Sequence, residues 1–335
     1  MTRVRPEWLA STPEEALEPE IPIVDPHHHL WDMEYWGRYL EDDLIEDLTA
    51  GHQVIGTVFV ECHSNYREGG PPHLQPVGET EFVERVGAAF DAKRDESPGF
   101  CAATVGHADL FLGDAVAEVL EAHLAASPRF RGIRHTTAWD PHKEARYPGM
   151  EQREGMLLDA KFQEGFARLA PLGLSFDAWL FHPQIPDLTA LARTFPDTQI
   201  ILDHFGGPLG LGPYQGRRNE VMQDWKRNLT ALATCPNVAI KLGGLLMDIN
   251  EFTYDAQEAP PGSETLAAAT RDYYLHAIDC FGPERAMFES NFPVDKASCS
   301  YTVLWNSFKR ISEGFNANER SELFSGTASR VYRLA

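Results

Sequence analysis

The sequence predicts a single (β/α)₈ barrel, the TIM-barrel member of the α/β class. Three observations carry the prediction: eight short β-rich runs, helical patterns between them, and polar residues at the end of nearly every run. The runs lie at 21–25, 54–61, 100–106, 130–135, 174–177, 199–203, 238–242 and 286–289. Between them, apolar residues recur three or four apart, as in Val116, Val119, Leu120 and Leu124, the spacing of a helix that covers one face of a sheet. Alternation of strand and helix predicts parallel pairing, and a count of eight predicts closure. A doubly wound open sheet is the competing arrangement. Against it, no GxGxxG follows the first run, and polar residues gather after several runs rather than at one crevice.

A chain of 335 residues suits one barrel with long loops, so 1–20 reads as an N-terminal extension and 21–335 as the barrel. The insertions fall after strands, at 62–78, 139–155, 205–218 and 244–263, which places them as extended loops at the C-terminal mouth of the barrel. Hydrophobic residues at 43%, with 19 Phe, 10 Tyr and 7 Trp, can fill a large core. A formal charge of −21 argues against nucleic acid and anionic membrane as partners, while a local basic cluster can still hold an anion in a cleft. Five scattered cysteines without a CxxC pair exclude a disulfide framework and a structural zinc site. Residues 1–20 are polar and proline-broken, unlike a signal peptide, and no apolar run approaches membrane-spanning length. The expectation is a cytoplasmic protein with a small-molecule substrate, as monomer or homo-oligomer.

The chemistry gathers at strand ends. His27 and His29, in Asp25-Pro26-His27-His28-His29, are separated by one residue at the end of a strand and so point the same way, with His28 turned into packing. Strand 2 ends in Glu61-Cys62-His63, strand 4 in Arg134-His135, strand 5 in Asp177 with His182 beyond it, strand 6 in Asp203-His204 and strand 7 in Lys241. Strand 8 runs Glu289-Ser290-Asn291-Phe292-Pro293-Val294-Asp295. So many ionisable groups are costly to bury unless they converge on a polar site.

The first-strand Asp25-x-His27-x-His29, the Asp203-His204-Phe205-Gly206-Gly207-Pro208 and the Ser290-Asn291-Phe292-Pro293 resemble the amidohydrolase-related TIM-barrel group over 21–334. That group includes lactonases for fuconolactone and pyrone dicarboxylate and nonoxidative decarboxylases. The resemblance implies that His27 and His29, with His204, hold one divalent metal, zinc or manganese. It also places the family's proton-accepting strand 8 aspartate at Asn291. An amide takes up no proton at neutral pH and brings no charge to a cation, so metal-independent hydrolysis stays open as well.

Glu289, Asp177 and Asp295 are the candidate bases, Glu289 sharing a face with Asn291 one layer deeper. Glu289 could equally form a buried ion pair with Lys241 on the neighbouring strand. Arg134 follows Gly132 by two and is placed to grip a substrate carboxylate or a developing oxyanion, or else to pair with Asp177. His182, Asn291, Lys241 and Glu61 complete the candidate substrate contacts, while His63 and His135 read as loop or structural residues. The predicted activity is hydrolysis of a lactone or cyclic ester of a small organic acid, with His204 polarising the carbonyl. A metal-dependent nonoxidative decarboxylase and a non-catalytic ligand-binding barrel are the alternatives.

Overall fold

A computed structural model describes residues 4–34, 36–92, 99–145 and 153–334. The predicted mouth loop at 139–155 therefore lies partly outside the described residues. Eight strands pair in parallel and in chain order: β1 (Ile23–His28), β2 (Val54–Val60), β3 (Gly99–Gly106), β4 (Phe130–Arg134), β5 (Ser175–Ala178), β6 (Ile200–Leu202), β7 (Val238–Leu242) and β8 (Ala286–Phe288). Just past β8 the sheet meets β1: His28 bridges Phe292, the His29 amide donates to the Phe292 carbonyl (2.8 Å), and the Asn291 amide donates to the His27 carbonyl (3.0 Å). The strand order is that of a closed (β/α)₈ barrel and not of a doubly wound sheet.

Each strand is followed by a helix: α1 (Glu41–Leu48), α2 (Val77–Asp91), α3 (Val116–Ala126), α4 (Ala160–Phe166), α5 (Ile185–Thr194), α6 (Arg218–Ala233), α7 (Ser263–Phe281) and α8 (Tyr301–Ile311). Along α3, Val116, Val119 and Leu120 are buried as their spacing predicts, but Leu124 faces solvent and His123 takes the inward place. The first strand runs further than its sequence suggested. A register shift between Asp25 and His28 absorbs Pro26, which lacks an N–H for the ladder, and the strand continues to His28.

Alternation along the strands sorts two layers of core. In β2, Val58 and Val60 face the barrel interior while Phe59 packs outward with the helices, and in β3 Ala103 and Val105 point inward. The outer layer is aromatic, with Phe162, Phe166, Phe176, Trp225, Phe288, Trp305 and Phe308 all buried. The interior layer also contains Ala328 and Tyr332 from the C-terminal helical segment. Arg131, near the start of β4, donates to the Tyr332 carbonyl (2.9 Å), so this segment stoppers the barrel from the N-terminal end of its strands. That leaves the opposite rim free for chemistry.

The N-terminal residues run along the outside. Glu14 accepts from the Ser263 amide (2.7 Å) and from Asn306 (2.9 Å), stapling the segment to α7 and α8. The five cysteines are free, and among the described residues no helix is long and apolar enough to cross a membrane.

Candidate active site

The C-terminal strand ends bring His27, Glu61, Arg134, Asp177, His204, Lys241 and Glu289 into one ion-pair network. Three of its pairings join alternate strands, because side chains of one barrel layer come from every second strand. Arg134 on β4 donates through Nε to Glu61 Oε1 after β2 (2.7 Å) and through Nη2 to the Glu61 carbonyl. Lys241 on β7 pairs with Asp177 on β5 (2.6 Å). His204, after β6, shares its Nδ1 with Glu289 Oε1, after β8 (2.7 Å). Neighbouring-strand pairings of Arg134 with Asp177 and of Glu289 with Lys241 were the competing sequence readings. The first is absent although Arg134 and Asp177 are register partners, and Lys241 instead takes Asp177 and Asp203 (3.1 Å).

His27 is at the centre. Lys241 Nζ lies 3.1 Å from its Nδ1, Arg134 Nη1 lies 3.4 Å from its Nε2, and Glu289 Oε2 lies 2.9 Å from Nδ1. Burial, and then the Lys241 cation, hold its basicity well below the ordinary value, so the ring is neutral. His204 is likewise held down, to about 3, by burial, against the opposing pull of Asp203. Neutral imidazoles are what a metal or a polarisable carbonyl requires.

Glu289 is pushed well above the ordinary carboxylate range by burial, although Lys241 pulls it back down; Asp203 and Asp177 add to the rise. Two glycines make room for the Glu289–His204 pair. A Cβ on Gly243 would fall 2.4 Å from Glu289 Cγ, and one on Gly244 would fall 2.5 Å from His204 Nδ1. Gly244 also has φ +74°, and His204 and Asn291 themselves adopt left-handed backbone at 52° and 54°. Such conformations persist where surrounding structure over-determines them, as at functional sites.

His27, His204 and Glu289 each offer a ligand atom within 4.8 Å of the others, and all three are buried. Of the three expected ligands, His27 and His204 fall in this group and Glu289 is the third. His29 stands beside them, its ring 4.9 Å from His27, with Nδ1 bonded to the Val60 carbonyl (2.8 Å) and one face stacked on Trp31. The residues fit a divalent cation on charge. Glu61, Asp177 and Asp203 are three carboxylates paired with two cations, Arg134 and Lys241, and Glu289 is a fourth within the field of Lys241. Glu289 Oε2 and both oxygens of Asp203 are buried without a hydrogen bond among the described residues. Buried carboxylate oxygens that outnumber their hydrogen bonds in this way would be satisfied by a proton or a cation.

The other candidates sit apart from this triad. Asn291 donates to Asp295 Oδ1 (3.0 Å), and Asp295 Oδ2 accepts from the Leu246 amide (3.4 Å), so both brace the loops after β7 and β8. Asp177 is engaged by Lys241 and by the Tyr332 hydroxyl (2.7 Å), deep in the barrel. His182 accepts from the Leu209 amide (3.2 Å) and meets the edge of Tyr214. His28 turns into packing against Thr57 (2.9 Å), and His135 accepts from the Leu110 amide. Sequence reasoning quoted Asp203 within a motif but gave it no role; its place before His204 was the available signal. The Trp31–Trp36 pair of the small hairpin after β1, with Leu246 and Pro293, also lines a cavity of about 350 Å³ beside the site.

A family model described as Amidohydrolase matches residues 24–334. The chain belongs to that family. This amidohydrolase is 34% identical over 328 residues to the uncharacterized protein y4mH of Sinorhizobium fredii, covering 94% of this chain and 99% of that one. It is 30% identical over 323 residues to an L-fucono-1,5-lactonase of Burkholderia multivorans, covering 93% and 96%. The crystal structure of an amidohydrolase from Burkholderia multivorans with bound zinc superposes with a TM-score of 0.71 at 26% identity, covering 93% and 99%. The protein is an enzyme of hydrolase type.

Proposed function

We propose that this amidohydrolase opens a lactone of a small polar acid, of the sugar-acid class, with Glu289 as the proton acceptor. The observation that carries the reading is the position of Glu289: buried between His27 and His204, with Oε1 bonded to His204 and Oε2 2.9 Å from His27 Nδ1 without a hydrogen bond among the described residues. On this reading Glu289, two positions before Asn291, takes the part of the family's strand 8 acid. The similarity to L-fucono-1,5-lactonases supports the lactone as substrate.

Hydrolysis forms a bond from a water oxygen to the carbonyl carbon, breaks the ring C–O bond, and leaves an alkoxide that must gain a proton. Glu289 takes the proton from water and returns it to the departing oxygen, a task suited to a carboxyl whose affinity for protons burial has raised. His204 is aimed by its bond to Glu289, as a positioned imidazole is in any acid–His pair. Arg134, fixed by Glu61, offers its guanidinium to the carboxylate or oxyanion of the substrate. Trp31 and Trp179 wall the His29 and His204 rings from water. A zinc or manganese ion would be held by His27, His204 and Glu289, and when bound would polarise the carbonyl and acidify water.

The test is a panel of sugar-acid and simple lactones followed by acid release, in chelator and with added Zn²⁺ or Mn²⁺. Opening of at least one sugar-acid lactone well above its spontaneous rate is expected. Glu289→Gln should lower kcat by about 10²- to 10⁴-fold with KM little changed. No ring opening under any metal condition would overturn the reading.

A further inference from the structure

Beside the central triad, the rim of β2 and β3 carries a second group of ligand-type side chains that shares no residue with it. Glu61, at the end of β2, His63 in the following loop and His107 just after β3 each present a ligand atom within 4.8 Å of the others. Glu61 is 2% exposed; Arg134 occupies its Oε1, while its Oε2 is buried without a hydrogen bond among the described residues. That oxygen lies 3.5 Å from His63 Nε2. The spacing is too wide for a hydrogen bond, which would close to about 2.8 Å. It matches the edge of a tetrahedron whose ligands lie about 2.1 Å from zinc, which is about 3.4 Å.

Both imidazoles are held through their other nitrogen. His107 Nδ1 bonds to the Arg134 carbonyl (3.2 Å), and His63 Nδ1 faces the Tyr66 hydroxyl (2.9 Å). Outer partners of this kind set ring orientation and tautomer at metal sites. The loop is fixed as well: buried Glu79 accepts from the Cys62 amide (3.0 Å) and the Ser64 amide (2.9 Å), and His63 between them takes left-handed backbone at φ 61°. Burial and the Glu61 charge push Glu79 up to about 8, so the anion that faces the two imidazoles is Glu61. His63 is 40% exposed, which opens the group to solvent.

We propose that Glu61, His63 and His107 form a second divalent-cation site, of the nitrogen-and-oxygen kind that takes zinc, separate from the His27–His204–Glu289 triad. An ion there would tie the exposed loop to β3 and order that side of the mouth. The inference does not depend on the lactonase reading, because binding of the metal alone decides it. Chelator-treated, desalted protein would be dialysed to equilibrium against Zn²⁺ and its zinc counted by mass spectrometry.

Wild type should hold one more equivalent than His63→Ala or than His63→Ala/His107→Ala, and Zn²⁺ should bind the missing site at least about tenfold more weakly in the single variant. His27→Ala/His204→Ala should keep one equivalent and a zinc-dependent rise in Tm, both lost when His63→Ala is added. Equal zinc content in wild type and His63→Ala would overturn the proposal. Because His63 is exposed, that comparison stands even if the buried-histidine variants do not fold.

Discussion

Tyr332→Phe removes one oxygen atom and probes whether the C-terminal segment is a working part of the barrel. The hydroxyl donates to Asp177 Oδ2 at 2.7 Å, both residues are fully buried, and the Lys241 cation lies 5.3 Å from the ring centroid. A hydrogen bond to a charged acceptor contributes about 1.5–3 kcal/mol, and here no water can replace it. Unfolding entropy of about 2.1 cal/mol/K per residue gives about 0.7 kcal/mol/K for this chain, so a loss of about 2 kcal/mol lowers Tm by about 3 °C. Calorimetry on wild type and variant measures it. Tyr214→Phe, which removes a part-buried bond to Asp140 (2.8 Å) from a tyrosine that water can reach, is the control and should lower Tm by less than Tyr332→Phe does. If Tyr332→Phe melts with the wild type, the plug does not reach the charge network.

Three further outcomes follow from the same geometry. Gly244→Ala places a Cβ 2.5 Å from His204 Nδ1 and should cut kcat by about 10²-fold while circular dichroism stays native; an unchanged kcat would show that the Glu289–His204 alignment is not needed. Arg134→Lys keeps the charge but loses the guanidinium fork held on Glu61, so kcat/KM for the lactone should fall by about tenfold or more, read from saturation kinetics. His28 is held near 3 by burial, so the folded ring stays neutral while the unfolded ring protonates near 6.5. Its contribution is full above pH 6.5 and is lost as pH falls from there toward 3, at about 1.4 kcal/mol per unit. Denaturant titrations of His28→Asn at pH 7.5 and 5.5 should therefore show a decline about 1.4 kcal/mol smaller than in wild type, and parallel declines would refute it.

The strands and their order were legible because each strand carries its own signal: β-rich, short, and bounded by loop residues. The pairing of charges was not. Arg134 finds Glu61 two strands away, and Lys241 finds Asp177 two strands away, because barrel layers are filled by alternate strands. A reading that pairs neighbours in the sheet therefore misassigns both. The end of β1 was misread for a local reason, since Pro26 signals a stop that a bulge absorbs. Tyr332 was invisible as a site neighbour, because nothing in a C-terminal helical pattern reveals that it will enter the barrel. Glu289 was recoverable because the two-residue period ties it to Asn291 in any strand.

The charge count connects fold and chemistry. Four carboxylates around two cations is a balance that a protein selected for stability alone would avoid, since unpaired buried charge costs several kcal/mol. The Tyr332 hydroxyl and the Lys241 ammonium neutralise or solvate part of that surplus from within the barrel, and the Arg134 guanidinium does so at its mouth. What they leave unsatisfied is confined to Asp177 Oδ1, Asp203, Glu289 Oε2 and Glu61 Oε2 within this network. Glu289 Oε2 and Asp203 border His27, and Glu61 Oε2 borders His63. The deficit thus collects at the two places where imidazoles wait with it. At Glu289 a cation or a proton would supply the missing partner; at Glu61, which burial raises but Arg134 and His63 hold down to about 2, only a cation would, and either would stabilise the fold by the interactions that prepare the site to act.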